Sequence, residues 1–217
     1  MSDIADNINS IQETIKARSS EPVTLIGVTK FQPLERVKEA LANGIRDLGV
    51  NYAQDGATLR SELSDPSLNW HFIGHIQSRK VKYLPEYQCI QSLDRLSVAS
   101  SLNAKLKEPI SVLIEMNLAG EQSKSGIDPT EAESFLDSLG EFTNLRVDGL
   151  MVMPPPLEPV EERRPYFKKA RKLWESLGKD RAFRTLSMGT SQDYLIAVEE
   201  GSTMVRLGSC LFGSRIR

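Results

Sequence analysis

Lys30 leaves an apolar run that contains Leu25, Ile26 and Val28. A lysine so placed has two fates. It snorkels, with its stem along apolar surface and its ammonium in water, or it sits in a dry pocket. There desolvation lowers the amine pKa and makes it a Schiff-base nucleophile. The residue alone leaves both open. Near the other end of the chain, Ser187-Met-Gly-Thr-Ser191 and Arg206-Leu-Gly-Ser209 collect small residues and hydroxyls. Such segments leave backbone N–H groups open to an anion, and phosphate is the ligand they suit. Three sharper readings fail on spacing. His71 and His75 stand four apart, as in zinc-binding helices, yet they lie in an aromatic β run broken by Gly74 with no evident third ligand, so no metal is expected. Cys89 and Cys210 lack local support for a Cys–His nucleophile pair and read as small core residues. No G-x-S-x-G elbow occurs, so a hydrolase triad has no anchor.

These residues are carried by short apolar, β-branched runs at 23–30, 47–51, 69–74, 89–94, 110–117, 145–153, 185–189 and 203–207. Several are near-continuous rather than alternating, which suits parallel strands buried on both faces. Amphipathic stretches lie between them. Residues 33–43 read as a helix with Pro33 at its first position and Gly44 as its stop. Asp128-Pro129-Thr130 offers cap chemistry for a helix over 131–139. Residues 164–177 line Tyr166, Phe167, Ala170, Leu173, Trp174 and Leu177 along one face. The basic cluster Lys168, Lys169, Arg171 and Lys172 reads as the solvated face of that helix.

Strand and helix signals alternating in this way predict an α/β fold, a single TIM-like (β/α)8 barrel. The domain is expected to span 1–217, with an additional N-terminal helix in 1–20 and the barrel in 21–217. The sequence ends soon after Gly213, which leaves no room for a long eighth outer helix, and residues 3–18 are expected to cover that gap. A doubly wound open sheet is the alternative, but no G-x-G-x-x-G follows the first strand and no G-x-x-x-x-G-K-[ST] occurs. In a barrel, functional groups gather at the C-terminal strand ends, and phosphate sits in the loops after strands seven and eight. That places Lys30, Asn51, His71, Asn117, Met151 and Met153 at one end.

Composition excludes more than it names. The chain has 217 residues, with 27 Lys and Arg against 29 Asp and Glu, a net charge of −2. That leaves no basic excess for nucleic acid. No apolar run approaches a membrane span, and the N-terminus does not read as a signal peptide. Two cysteines fit a reducing, cytoplasmic location.

Seven segments then share one resemblance: V-T-K at 28–30, G-V-N-Y at 49–52, H-F-I-G-H-I-Q-S-R-K at 71–80, S-K-S-G at 123–126, D-G-L-M-V-M-P at 148–154, L-S-M-G-T-S-Q-D at 186–193 and G-S-T-M-V-R-L-G-S-C-L-F-G-S-R at 201–215. Together they resemble the pyridoxal 5′-phosphate homeostasis proteins, the YggS or PROSC type, from about residue 20 onward. The second segment usually reads G-E-N in that family, and Val50 stands here in place of the glutamate.

The resemblance implies a barrel similar to the N-terminal domain of alanine racemase, holding pyridoxal 5′-phosphate at its mouth. It implies a Schiff base on Lys30, phosphate contacts from Ser191, Ser187 and the amides of Gly208 and Ser209, and Arg206 facing the pyridine nitrogen. Asn51, Ile73 and Met151 would line the ring, and Lys124 would be an auxiliary cofactor lysine. An arginine cannot accept the ring proton and disfavours the pyridinium, so the electron sink is weakened. The expected function is therefore a carrier in cofactor homeostasis and amino- and keto-acid balance, not an enzyme. Partners would be the cofactor and apo-enzymes that receive it, with the chain a monomer. The length is expected to be too short for the second domain of a racemase, and the alternative is a small racemase-like enzyme.

Overall fold

The computed structural model of the chain describes residues 3–121 and 125–213. All eight apolar runs form strands: β1 (Thr24–Val28), β2 (Asp47–Val50), β3 (Asn69–Phe72), β4 (Cys89–Leu93), β5 (Ile110–Met116), β6 (Leu145–Val152), β7 (Thr185–Thr190) and β8 (Met204–Leu207). Each pairs in parallel with its neighbour in sequence, and β1 pairs with β8 to close a barrel. Leu48, Ile90, Val112, Leu150, Leu186 and Val205 are fully buried, which is why these segments are apolar throughout.

The outer layer holds α1 (Ile4–Lys16), α2 (Leu34–Ala42), α3 (Ala53–Leu63), α4 (Leu96–Asn103), α5 (Ala132–Leu139), α6 (Arg164–Gly178), α7 (Tyr194–Glu199) and α8 (Ser209–Phe212). A 3₁₀ segment, Ser78–Glu86, connects β3 to β4. Two helix starts differ from the expectation. Pro33 is the N-cap of α2, with extended ψ of 145°, and not its first turn. The Asp128 carboxylate accepts from the N–H and hydroxyl of Thr130, so it braces the turn ahead of α5 and leaves the N-cap to Glu131.

The eighth outer position is filled as anticipated. α8 has four residues, and α1 packs against it and against α2 and α7. Ile4, Ile8, Ile11 and Ile15 recur at helical spacing and are buried, each stabilising the packing by about 1.5–3 kcal/mol relative to exposure. Asp3 caps this helix by accepting from the Ala5 N–H at 2.8 Å, and Asn7 donates to the Leu211 carbonyl at 3.0 Å. Among the described residues no helix is long and apolar enough to cross a membrane.

Candidate functional site at the barrel mouth

At the C-terminal ends of the strands lies a cleft of about 360 Å³ lined by Val28, Lys30, Gln32, Asn51, Ile73, Met153, Thr190, Ser191, Gln192, Arg206, Gly208 and Ser209. On one flank Lys30 follows β1 by two residues. Its ammonium lies over the rings of Phe31, 4.9 Å away, and Tyr52, 5.2 Å away. Both rings are largely exposed. Phe31 holds φ of +61°, the left-handed region that a bulky residue rarely adopts, so the turn after Lys30 stores strain.

Asn51 follows β2, and its Oδ1 is buried with no hydrogen-bond partner. A Cβ at Gly74 would come within 1.9 Å of the Asn51 carbonyl oxygen, so only glycine lets the two loops approach this closely. Val50 faces the other way. A Cβ added at Gly56 would meet Val50 Cγ1 at 3.2 Å and the Tyr87 hydroxyl at 2.0 Å, which puts Val50 in the helix layer.

The opposite flank is dense with hydrogen bonds. Ser191 Oγ accepts from the amides of Gly208 at 3.0 Å and Cys210 at 3.3 Å. Asp193 accepts from the Thr190 N–H at 2.6 Å and its hydroxyl at 3.0 Å. Its other oxygen pairs with the buried Arg163 guanidinium at 2.9 Å. Gly189, at φ of +94°, turns the chain where a Cβ would strike Ala197 at 2.6 Å. Arg206 is fully enclosed. Its NH1 donates to the Ser187 carbonyl and hydroxyl, at 2.9 and 2.7 Å, and its NH2 to the Val152 carbonyl at 3.0 Å. Burial pulls the guanidinium pKa down to about 10.

The cleft thus brings together Lys30, Asn51, Ile73, Ser191, Arg206, Gly208 and Ser209. Ser187 is wholly buried and meets Arg206 from below. Met151 does not line the cleft. It packs beneath it with Cys89 and Leu113, and Met153 takes the rim position, because neighbours two apart along β6 sit at different depths. Lys124 lies outside the described residues. His71 contacts Asp47 and Gln91 inside the barrel, and His75 contacts Ser125 on the surface. The Cys89 thiol is pushed up to about 12 by burial, which leaves it inert.

Sequence reasoning missed Glu115. It stands one residue before the end of β5, beside a second cleft of about 360 Å³ that shares Met153 with the first. Burial pushes its carboxyl up to about 7, Asp94 adds to the shift, and Arg206 and Arg95 oppose it. A lone carboxylate inside an otherwise apolar strand, Ile110–Met116, was the available signal.

Residues 1–216 match the family model described as alanine racemase, N-terminal domain. The pyridoxal phosphate homeostasis protein of Pseudomonas aeruginosa is 39% identical, over 99% of this chain and 97% of its own length. Its namesake from Aquifex aeolicus is 40% identical, over 91% and 90%. The solved structure of PipY from Synechococcus elongatus PCC7942 with PLP bound superimposes with a TM-score of 0.86 at 31% identity, covering 97% of this chain and all of that one.

Proposed function

The chain belongs to the pyridoxal phosphate homeostasis proteins, a family built on the alanine racemase N-terminal domain, and from that premise we propose that it holds pyridoxal 5′-phosphate reversibly on Lys30. The link is a Schiff base, and the protein serves the supply of the cofactor and, downstream, amino- and keto-acid balance. It works as a cytoplasmic monomer, a single barrel unit that hands the cofactor to apo-enzymes and turns over no substrate of its own.

The observation that carries this reading is the buried Arg206 on the cleft wall. Its NH1 and NH2 are tied back to Ser187 and Val152, and its Nε has no partner among the described residues. A guanidinium donates only, so it suits an unprotonated ring nitrogen. The cleft volume falls within the range of small-molecule sites, and the orphaned Asn51 Oδ1 offers an acceptor on the same wall. Ser191, with the amides of Gly208 and Ser209, holds the phosphate, Ser187 steadies Arg206, and Ile73 and Met153 bound the ring, with Met151 beneath. When bound, the cofactor supplies an aldehyde that captures amines and a ring that withdraws electrons.

Borohydride reduction of the loaded protein, followed by peptide mass analysis, tests the assignment. The reduced adduct is expected on Lys30 and absent in Lys30→Ala; an adduct on another lysine, or none, defeats it. Glu115 favours a second reading, a racemase-like enzyme, because a carboxyl that titrates near neutrality beside Arg206 suits proton transfer. Loaded protein incubated with single L-amino acids in deuterium oxide decides between the two. Sustained α-proton exchange, lost in Lys30→Ala, establishes the enzyme.

A further inference from the structure

Below Arg206 a line of polar side chains crosses the barrel interior from the mouth to the opposite end. Arg206 NH1 donates to Ser187 Oγ at 2.7 Å, and Ser187 Oγ donates to Gln91 Oε1 at 2.7 Å. Gln91 Nε2 reaches His71 Nδ1 at 3.2 Å, and His71 Nε2 reaches Asp47 Oδ1 at 2.9 Å. The donors run one way. Because the Gln91 oxygen is engaged by Ser187, its nitrogen faces His71, so Nδ1 accepts and Nε2 carries the proton toward the Asp47 carboxylate. Four of these residues are buried, so water does not scramble the order, and Asp47 alone reaches the cleft at the N-terminal ends of β1 and β2.

We propose that His71 and Gln91 are positioning residues for Arg206, holding its guanidinium in the orientation that faces the cofactor ring. The proposal rests on the function proposed above. Among the described residues no carboxylate bonds to Arg206; NH1 is held by the Ser187 carbonyl and by the Ser187 hydroxyl, and of these two the hydroxyl is free to rotate. That hydroxyl accepts from Arg206 only while its own proton is taken by Gln91 Oε1. Gln91 presents Oε1 while its amide nitrogen has acceptors on the other side, the bare His71 Nδ1 and the weaker Met204 Sδ, each at 3.2 Å. Reversing the amide would set N–H against O–H and loosen the guanidinium.

Two substitutions at one position separate this from a merely structural role. In His71→Asn the side-chain oxygen occupies the Nδ1 site and still accepts from Gln91, while the link to Asp47 is lost. In His71→Gln the amide keeps the link to Asp47 and loses the acceptor. Pyridoxal 5′-phosphate titrated into each variant, followed by absorbance, is expected to bind about five- to tenfold more weakly and with a shifted band in His71→Gln, as the loss of one hydrogen bond implies. Gln91→Met should behave as His71→Gln does, and His71→Asn should stay within about twofold of the parent. Equal effects of the two His71 variants, or no effect of either, overturn the proposal. Side-chain ¹⁵N spectra of the cofactor-free protein provide a separate readout. His71 should be the Nε2–H tautomer, and the Arg206 N–H resonances should move in His71→Gln more than in His71→Asn. If the parent takes up no cofactor, the proposed function fails while these spectra still decide the positioning role.

Discussion

On the β7–β8 flank of the mouth, Arg163, Thr190, Ser191, Asp193 and Arg206 bond to one another or to nearby backbone, and most are buried. On the β1–β2 flank, Phe31 is strained at φ of +61°, Asn51 Oδ1 lacks a partner, and the Lys30 ammonium rests on two exposed rings. The contrast matches the two tasks proposed for these flanks. Anchors for phosphate and ring are most effective when fixed before binding, since ordering them afterwards subtracts from affinity. A lysine that must meet and release an aldehyde needs room to move, and the loose flank gives it that.

Four experiments press on this contrast. The largest effect is expected at the rigid flank. Asp193→Ala removes the buried carboxylate from the Arg163 cation, leaving it only the largely exposed Glu158 as an ionic partner, and should cost about 3–5 kcal/mol in a denaturant melt. A loss below about 1 kcal/mol would show that the flank is not held as described.

Glu115, between the flanks, gives the next effect and a pH signature. Its carboxyl is raised from 4.5 to about 7, so the folded state binds its proton more tightly than the unfolded chain. Its penalty is absent below pH 4.5, grows as pH rises to 7 and is complete above that. Glu115→Gln should therefore stabilise the protein by about 3 kcal/mol at pH 8 and hardly at all at pH 4. Thermal melts at the two pH values check this, and a gain of equal size at both would contradict the burial argument.

Ser191→Ala and Arg206→Ala come third, each weakening cofactor retention by about tenfold in equilibrium dialysis, the equivalent of one hydrogen bond. For Ser191→Ala the melting temperature should stay close to the parent's, since the serine braces a rim loop. Unchanged retention in both variants would place the phosphate elsewhere. The smallest effect belongs to the loose flank. Phe31→Asn, which tolerates the left-handed region, should change stability by less than about 1 kcal/mol in either direction. A loss as large as that of Asp193→Ala would erase the difference between the flanks.

The strands were legible because a strand buried on both faces has to be apolar throughout, as Leu25–Ile26 and Leu113–Ile114 are. The loops proposed to hold phosphate were legible because small residues and hydroxyls cluster after β7 and β8. Contacts across the barrel were not. Whether His71 meets Gln91 or a metal depends on the register of strands that share no sequence signal, and Asp193 finds Arg163 only after the chain has turned through α6 and β7. Depth at the end of β6 was also hidden, which is why the sequence reading assigned Met151 to the ring while Met153 lines the cleft. The departure at Val50 lies behind the strand, away from the cleft. Val50 packs against the helix layer near Tyr87, so the exchange alters packing behind the strand and leaves Asn51 in the cleft.

The docking of α1 onto α8 also bears on how the molecule assembles. The bond from Asn7 to Leu211 spans 204 positions of sequence, and the β1–β8 seam is nearly as long-range. Loop-closure entropy has to be overcome before such contacts contribute, and it makes ring closure slow. During synthesis the four isoleucines of α1 emerge well before β8 and α8, and they stay partly uncovered until those elements exist to receive them. Until then the helix is a sticky apolar stripe, and it is the segment on which a chaperone or an aggregate would first take hold.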